Sequence, residues 1–158
     1  MKKILIASLI IFSSCKFIEK EFTTKELDNK IEKLEQSLNT TEIDTTKMIK
    51  LLLIKSERFG KKKEIDKARK KINEALNLSK DLNNETETAN CLFQLSKIEF
   101  KYGVPQIAEL SMEKAKEIYK RKKMRMKLIE LNAFGIELYN KLGKKEKVEE
   151  ILNEAKSL

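Results

Sequence analysis

The chain of 158 residues has no histidine and no tryptophan, one proline, four glycines and two cysteines. Each scarcity excludes something. Without histidine there is no Ser-His-Asp triad, no Cys-His pair and no His-ligated metal site. Two cysteines, Cys15 and Cys91, are too few for a disulfide framework or a four-cysteine zinc site. Gly60, Gly103, Gly135 and Gly143 never cluster into a phosphate-cradling GxGxxG or GxxxxGK loop. So little glycine and proline also argues against a turn-rich β architecture and for long helices. Carboxylate pairs such as Glu85/Glu87 and Glu149/Glu150 lie among lysines on polar stretches. Three tyrosines without a tryptophan offer little of the aromatic stacking that accompanies a glycosidase dyad. Neither enzyme activity nor a small-molecule substrate is expected.

What is present is an apolar leader, a repeat and an excess of lysine. The composition, 41% hydrophobic and 37% charged with a net charge of +9, suits a folded domain with a highly charged surface. Met1-Lys2-Lys3 opens the chain, and residues 4–14 are uncharged and mostly apolar. That run is too short to span a bilayer, which needs about 20 residues, and has the length of a secretory h-region. It ends Phe12-Ser13-Ser14-Cys15. By itself the run also reads as a plain signal peptide with a chance cysteine, or as a buried N-terminal strand.

The order of these features resembles a bacterial lipoprotein signal in the permissive, spirochaetal-type form, with Phe three residues before the cysteine. The resemblance implies a signal peptide over residues 1–14, a lipidated tether over 15–23, and diacylglyceryl transfer to Cys15 with acyl chains of the palmitate kind. It further implies export and anchoring to a bacterial membrane, on the outer-membrane or periplasmic side or at the cell surface. The covalent lipid on Cys15 is the one cofactor implied. Cys91 is then the remaining thiol, read as a buried helix residue because no histidine is present to activate it.

Residues 24–39 read as an N-terminal helix. Thr23-Thr24-Lys25-Glu26 has the form of a capping box, and Leu27, Ile31, Leu34 and Leu38 follow at helical spacing. Beyond it the chain repeats at forty residues. Ala68, Ala108 and Val148 match, as do Ile72, Met112 and Leu152, Ala75, Ala115 and Ala155, and Ile49, Ala89 and Ile129. Ser56 matches Ser96. Phe59 and Tyr139 match around Glu99, and Gly103 and Gly143 align with Lys63. Three units follow, at about 44–83, 84–123 and 124–158, each a helix, a Gly/Lys turn taking left-handed C-cap geometry, and a second helix. Pro105 suits the first turn of a helix, and Asn84 suits an N-cap.

The pattern Leu92-x₂-Leu95-Ser96 followed by Ala108-x₃-Met112-x₂-Ala115, with Ala68-x₃-Ile72-x₂-Ala75 and Val148-x₃-Leu152-x₂-Ala155, resembles the tetratricopeptide repeat (TPR) superfamily. The period of forty exceeds the usual 34, and Glu99 departs from the aromatic of the other two units. The resemblance implies an all-α, αα-hairpin solenoid of about three TPR-like repeats plus the N-terminal helix. It also implies a concave groove lined by the first helix of each pair.

In that phase the inner face includes Phe93, Lys97, Phe100 and Lys101 from the second unit and Glu137 and Asn140 from the third. Phe93 and Phe100 either hold an apolar side chain of a partner or close the hairpin core; the sequence leaves both readings open. A basic stretch, Lys120, Arg121, Lys122, Lys123, Arg125 and Lys127, places six cations in eight residues, either as a solvated surface or as a contact for anionic groups. The expected function is a protein–protein interaction scaffold on the membrane, with another envelope or membrane protein as partner and the bilayer reached through the acyl anchor. The alternative is a surface-exposed, adhesin-type binder whose basic edges contact polyanions or acidic proteins. Nucleic acid is not an expected partner of an exported protein.

Overall fold

The computed structural model describes residues 23–38 and 44–155, and every regular element among them is an α-helix. In chain order these are α1 (Thr24–Leu38), α2 (Thr45–Lys61), α3 (Ile65–Asp81), α4 (Glu85–Tyr102), α5 (Pro105–Arg121), α6 (Arg125–Lys141) and α7 (Lys145–Ala155). The expected all-α class is the class observed. From α2 onward a helix begins every twenty residues. Consecutive helices pack together, and α2 also meets α4. Since the chain reverses at each short turn, α2, α4 and α6 run in one direction and α3, α5 and α7 in the other.

The capping box at the start of α1 closes reciprocally. The Thr23 N–H donates to Glu26 Oε2 at 2.7 Å and the Glu26 N–H to Thr23 Oγ1 at 3.2 Å. Leu27 is buried, with Ile31, Leu34 and Leu38 half-buried along the same stripe. Asp28 pairs with Arg58, and Glu35 with Lys55 at 2.6 Å. Moving forward on α1 thus means moving back on α2, so the two are antiparallel and Thr23 lies level with the end of α2.

Four of the five turns between α2 and α7 share one design. The helix ends in a left-handed residue, Lys63 (φ 59°), Asn83 (φ 51°), Lys123 (φ 54°) or Gly143 (φ 72°). The next N–H then reaches back to a carbonyl, as in Glu64 to Phe59, Asn84 to Ser79, Met124 to Tyr119 and Lys144 to Tyr139, at 2.8–3.0 Å. These are Schellman ends, and only one uses glycine. The expectation that Gly103 takes the left-handed position is not met, since its φ is −127°. Pro105 holds Val104 extended, at φ −105° and ψ 110°, as the residue before a proline must be, and this diverts the chain. Here the Val104 N–H is accepted by the side chain of Glu99, whose Oε2 stands at 2.9 Å. A carboxylate therefore does the work of the main-chain carbonyl used at the equivalent place in every other turn.

The core forms two clusters, one centred on α2–α4 and one on α4–α7. Ala68, Ile72 and Ala75 in the first recur as Ala108, Met112 and Ala115 in the second, all fully buried. Small residues let the backbones approach. Ser96 Oγ donates across the helix pair to the Ala108 carbonyl at 2.7 Å, and a Cβ on Gly60 would stand 2.6 Å from Ile98 Cδ1 and 3.3 Å from the Tyr102 ring. The forty-residue correspondence lapses in the third unit. Ile151 is buried, while Leu152 is half-buried and Ala155 exposed; Ile129 is exposed where Ile49 and Ala89 are fully buried. The reason is one-sided packing, because the helices up to α5 are covered by those that follow them, whereas among the described residues no helix follows α7 to cover the far side of the last hairpin.

Candidate interaction surfaces

Helices α4 and α6 carry the partner-binding residues expected from the sequence. Phe93, on α4, is 3% exposed. Its ring meets that of Phe134 on α6 edge-on, centroids 5.5 Å apart at 74°. Phe100, one helical face further along α4, meets the other side of Phe134 at 5.4 Å and 84°. The two phenylalanines thus grip a third, and edge-to-face pairs of this kind contribute about 0.5–1.5 kcal/mol each beyond their burial. Of the two readings left open by the sequence, Phe93 takes the core one, while Phe100 is half-buried. The repeat phase places Ala133, not its neighbour Phe134, opposite this site. The signal was the seven-residue gap between Phe93 and Phe100, which leaves a slot for one ring.

Lysines roof this aromatic seam. Lys97 Nζ stands 4.4 Å from the Phe93 ring centroid and 3.5 Å from Glu130 Oε1. Lys141 Nζ stands 4.6 Å from the Phe100 centroid and donates to the Phe100 carbonyl at 3.1 Å. Lys101, Glu137 and Asn140 are exposed. The structure therefore brings Phe93, Lys97 and Phe100 together and leaves Lys101, Glu137 and Asn140 around them as an open polar rim. Asn90, on the same helix, is held internally, accepting from the Tyr119 hydroxyl at 2.8 Å.

The basic stretch is largely compensated. Lys120 bonds Glu154 at 2.8 Å, Arg121 and Lys122 share Glu85 at 2.5 and 2.6 Å, and Lys127 bonds Glu130 at 3.1 Å. The Glu85 carboxyl is held below its ordinary range, first by the hydrogen bond from Lys122. Lys123 and Arg125 are exposed without a carboxylate partner among the described residues. Exposed pairs of this kind add about 0–1 kcal/mol each, so they shape the surface potential more than the stability.

A cavity of about 460 Å³ lies between α5 and α7, over Tyr139. Most of its polar groups pair with each other: Lys116 and Lys120 with Glu154, Lys147 with Glu150, and the Tyr139 hydroxyl with Glu113. Burial and the neighbouring Glu113 raise the Tyr139 hydroxyl far above the ordinary phenol range, so it holds its proton and serves as a hydrogen-bond donor.

Cys91 is fully buried. Burial first, and the nearby Glu87 charge second, push its thiol up to about 12. The native protein is therefore expected to resist maleimide at pH 8 and to label fully once unfolded in urea. Rapid labelling of the native state would show that α4 opens readily. Cys15 and its leader lie outside the described residues. No described helix is long and apolar enough to cross a membrane, and no described cluster of acidic and cysteine side chains is arranged to hold a metal ion. No protein-family model matches the chain, and no curated protein or solved structure is significantly similar to it.

Proposed function

We propose that the chain is a membrane-anchored lipoprotein whose helical array, a TPR-like solenoid of three hairpins, is a protein–protein interaction scaffold of the cell envelope. The observation that carries this reading is the recurrence, forty residues apart, of fully buried Ala-x₃-large-x₂-Ala sets in α3 and α5. Such sets, on the second helix of each pair, let the hairpins stack so that the first helices line up side by side and form the shared concave face for binding. On this reading Phe93 and Phe134 hold the face rigid. Lys101, Glu137 and Asn140, with the edge of Phe100, meet the partner. The tether of residues 15–23, at no more than ~3.5 Å per residue, keeps the domain within ~30 Å of the bilayer, which favours a partner in the envelope. A second reading, contact with polyanions or acidic proteins through the basic edge, draws on Lys123 and Arg125 and their lack of carboxylate partners.

Cys15→Ser is expected to remove the acyl mass and to shift the protein from the membrane to the soluble fraction. An unacylated wild-type protein would overturn the anchor. For the scaffold, the test is capture of a partner from native membranes, followed by washing at about 1 M salt, where the Debye length falls to about 3 Å. A single protein that survives the wash and is lost with Lys101→Glu plus Glu137→Lys is the expected result. A spread of acidic species released by salt, and lost instead with Lys123→Glu plus Arg125→Glu, would transfer the function to the basic edge.

A further inference from the structure

The stacking side of α4 and the corresponding side of α6 have unequal surroundings. On α4 that side presents Ala89, Phe93, Ser96 and Phe100. It is covered by α5 and by α6, whose Phe134 inserts between the two phenylalanines. Forty residues on, the same side of α6 presents Ile129, Ala133, Ile136 and Asn140, and among the described residues only α5 and α7 pack on α6 as chain neighbours, with no helix beyond. Ile129 is 42% exposed and Met126, one turn before it, 76%. The first turn of α6 has no acidic residue and no side-chain N-cap, and carries Arg125 and Lys127 against the helix dipole. Lys123 and Arg125, next to Met126 in sequence, are the two cations of the basic stretch that have no carboxylate partner among the described residues.

We infer that this open side of α6 is the docking place for an acidic amphipathic helix of a partner protein. That helix lies on Ile129 and Met126 as α6 lies on α4, with carboxylates directed at Lys123 and Arg125. A helix is the occupant because a helix fills the corresponding place one unit earlier. The acidic character follows from charge complementarity. A second copy of this chain fits less well. Antiparallel pairing of α6 with itself about Ala133 would set Arg125 against Lys141 and Ile129 against Glu137. A head-to-tail copy would need the side of α2 that holds Lys55 and Arg58, and α1 already covers it. The inference deepens the scaffold reading and rests on it, but it depends on neither the lipid nor the rim of Lys101, Glu137 and Asn140.

The test measures binding of the full chain to an 18-residue labelled peptide with leucine at i, i+3 and i+7 and glutamate on its other face. Its controls are a scrambled peptide and polyglutamate. The expected result is binding at least ten-fold tighter than to the scramble. It should weaken ten-fold or more with Met126→Asp plus Ile129→Asp, and with Lys123→Glu plus Arg125→Glu, and stay unchanged with Lys62→Glu plus Lys145→Glu at the opposite end. Circular dichroism confirms that these exposed substitutions leave the fold intact. Equal competition by polyglutamate, with Met126→Asp plus Ile129→Asp silent, would overturn the proposal in favour of a plain polyanion contact. Binding to vesicles of 7:3 phosphatidylcholine and phosphatidylglycerol that this variant abolishes would overturn it in favour of a lipid surface. A concentration-dependent dimer that the same variant makes monomeric would assign the strip to a second copy. If the variant still captures its native partner from membranes, the inference fails while the scaffold reading stands; loss of capture in every variant and in the wild type sinks the scaffold reading itself.

Discussion

Arg69→Met is expected to destabilise the domain by about 2–3 kcal/mol and to lower its melting temperature by roughly 10 °C. Glu99, the partner, is 1% exposed and accepts from Arg69 Nε at 2.5 Å and Nη2 at 2.9 Å, besides the Val104 N–H. Removing the guanidinium leaves a buried carboxylate with one main-chain donor. The loss falls below the usual ~3–5 kcal/mol because the Arg69 side chain is itself 34% exposed. Adding Glu99→Leu should restore most of the stability, since removing both partners also removes the desolvation cost. The pair also sets a pH dependence. The hydrogen bond from Arg69, joined by the Val104 N–H, holds the Glu99 carboxyl below its ordinary range against the opposing effect of burial. A carboxyl depressed in the folded state contributes its full stability above the unfolded value, about 4.3, and loses it as pH falls through the folded one. The wild type should therefore lose stability below about pH 4 relative to the double variant, as read by urea midpoints at pH 7 and pH 3. A constant difference between the two would show that the pair does not form in solution.

Phe93→Ala is expected to cost about 3–5 kcal/mol, the range for emptying a buried phenylalanine site, and to change how the protein unfolds. Phe93, with Phe100, joins α4 to α6 through the Phe134 ring, and a stack in which each unit touches only its neighbours fails at its weakest joint. With the ring removed, α6 and α7 should melt ahead of α2–α5. Urea unfolding would then split into two transitions, with amide exchange in α6 rising before that in α3. A single transition shifted to lower urea would mean that α5 alone couples the last hairpin to the rest. Partner capture by this variant is informative only after its fold has been checked, because the side chain that most resembled a groove contact also joins two helices.

The helices were legible because their signals are local. The capping box at Thr23, the N-cap at Asn84, Pro105 and the Ala-x₃-large-x₂-Ala spacing of each set all act within one or two turns of chain. Less visible was the conformation of the turns. Lysine at a left-handed position costs about 1–2 kcal/mol, asparagine less, and both are tolerated where the flanking helices pack well, so the alignment of Gly103 and Gly143 with Lys63 points to Lys63 and Gly143 but not to Asn83 and Lys123. Glu99 was seen as a departure from the aromatic pattern, yet its meaning depends on Arg69, thirty residues away, and on Gly103. A Cβ at Gly103 would stand 2.1 Å from the carboxylate. Neither relation has a sequence period. The uneven burial of Ile49, Ala89 and Ile129 was equally hidden, since a repeat read in one dimension does not show which copy lacks a neighbour.

Helices that begin every twenty residues while their side-chain chemistry returns every forty impose a rule of inheritance on this chain. Copying or losing a forty-residue block, cut for example between Asn83 and Asn84 and again between Lys123 and Met124, would keep helix direction and outward surface in step and alter only the length of the stack. A twenty-residue change would reverse every helix beyond the cut and bring the sides of α3 or α5 to where those of α4 or α6 had been. Length is thus a trait that can drift in units of one hairpin, with the surface presented to the outside conserved by the arithmetic of the turns.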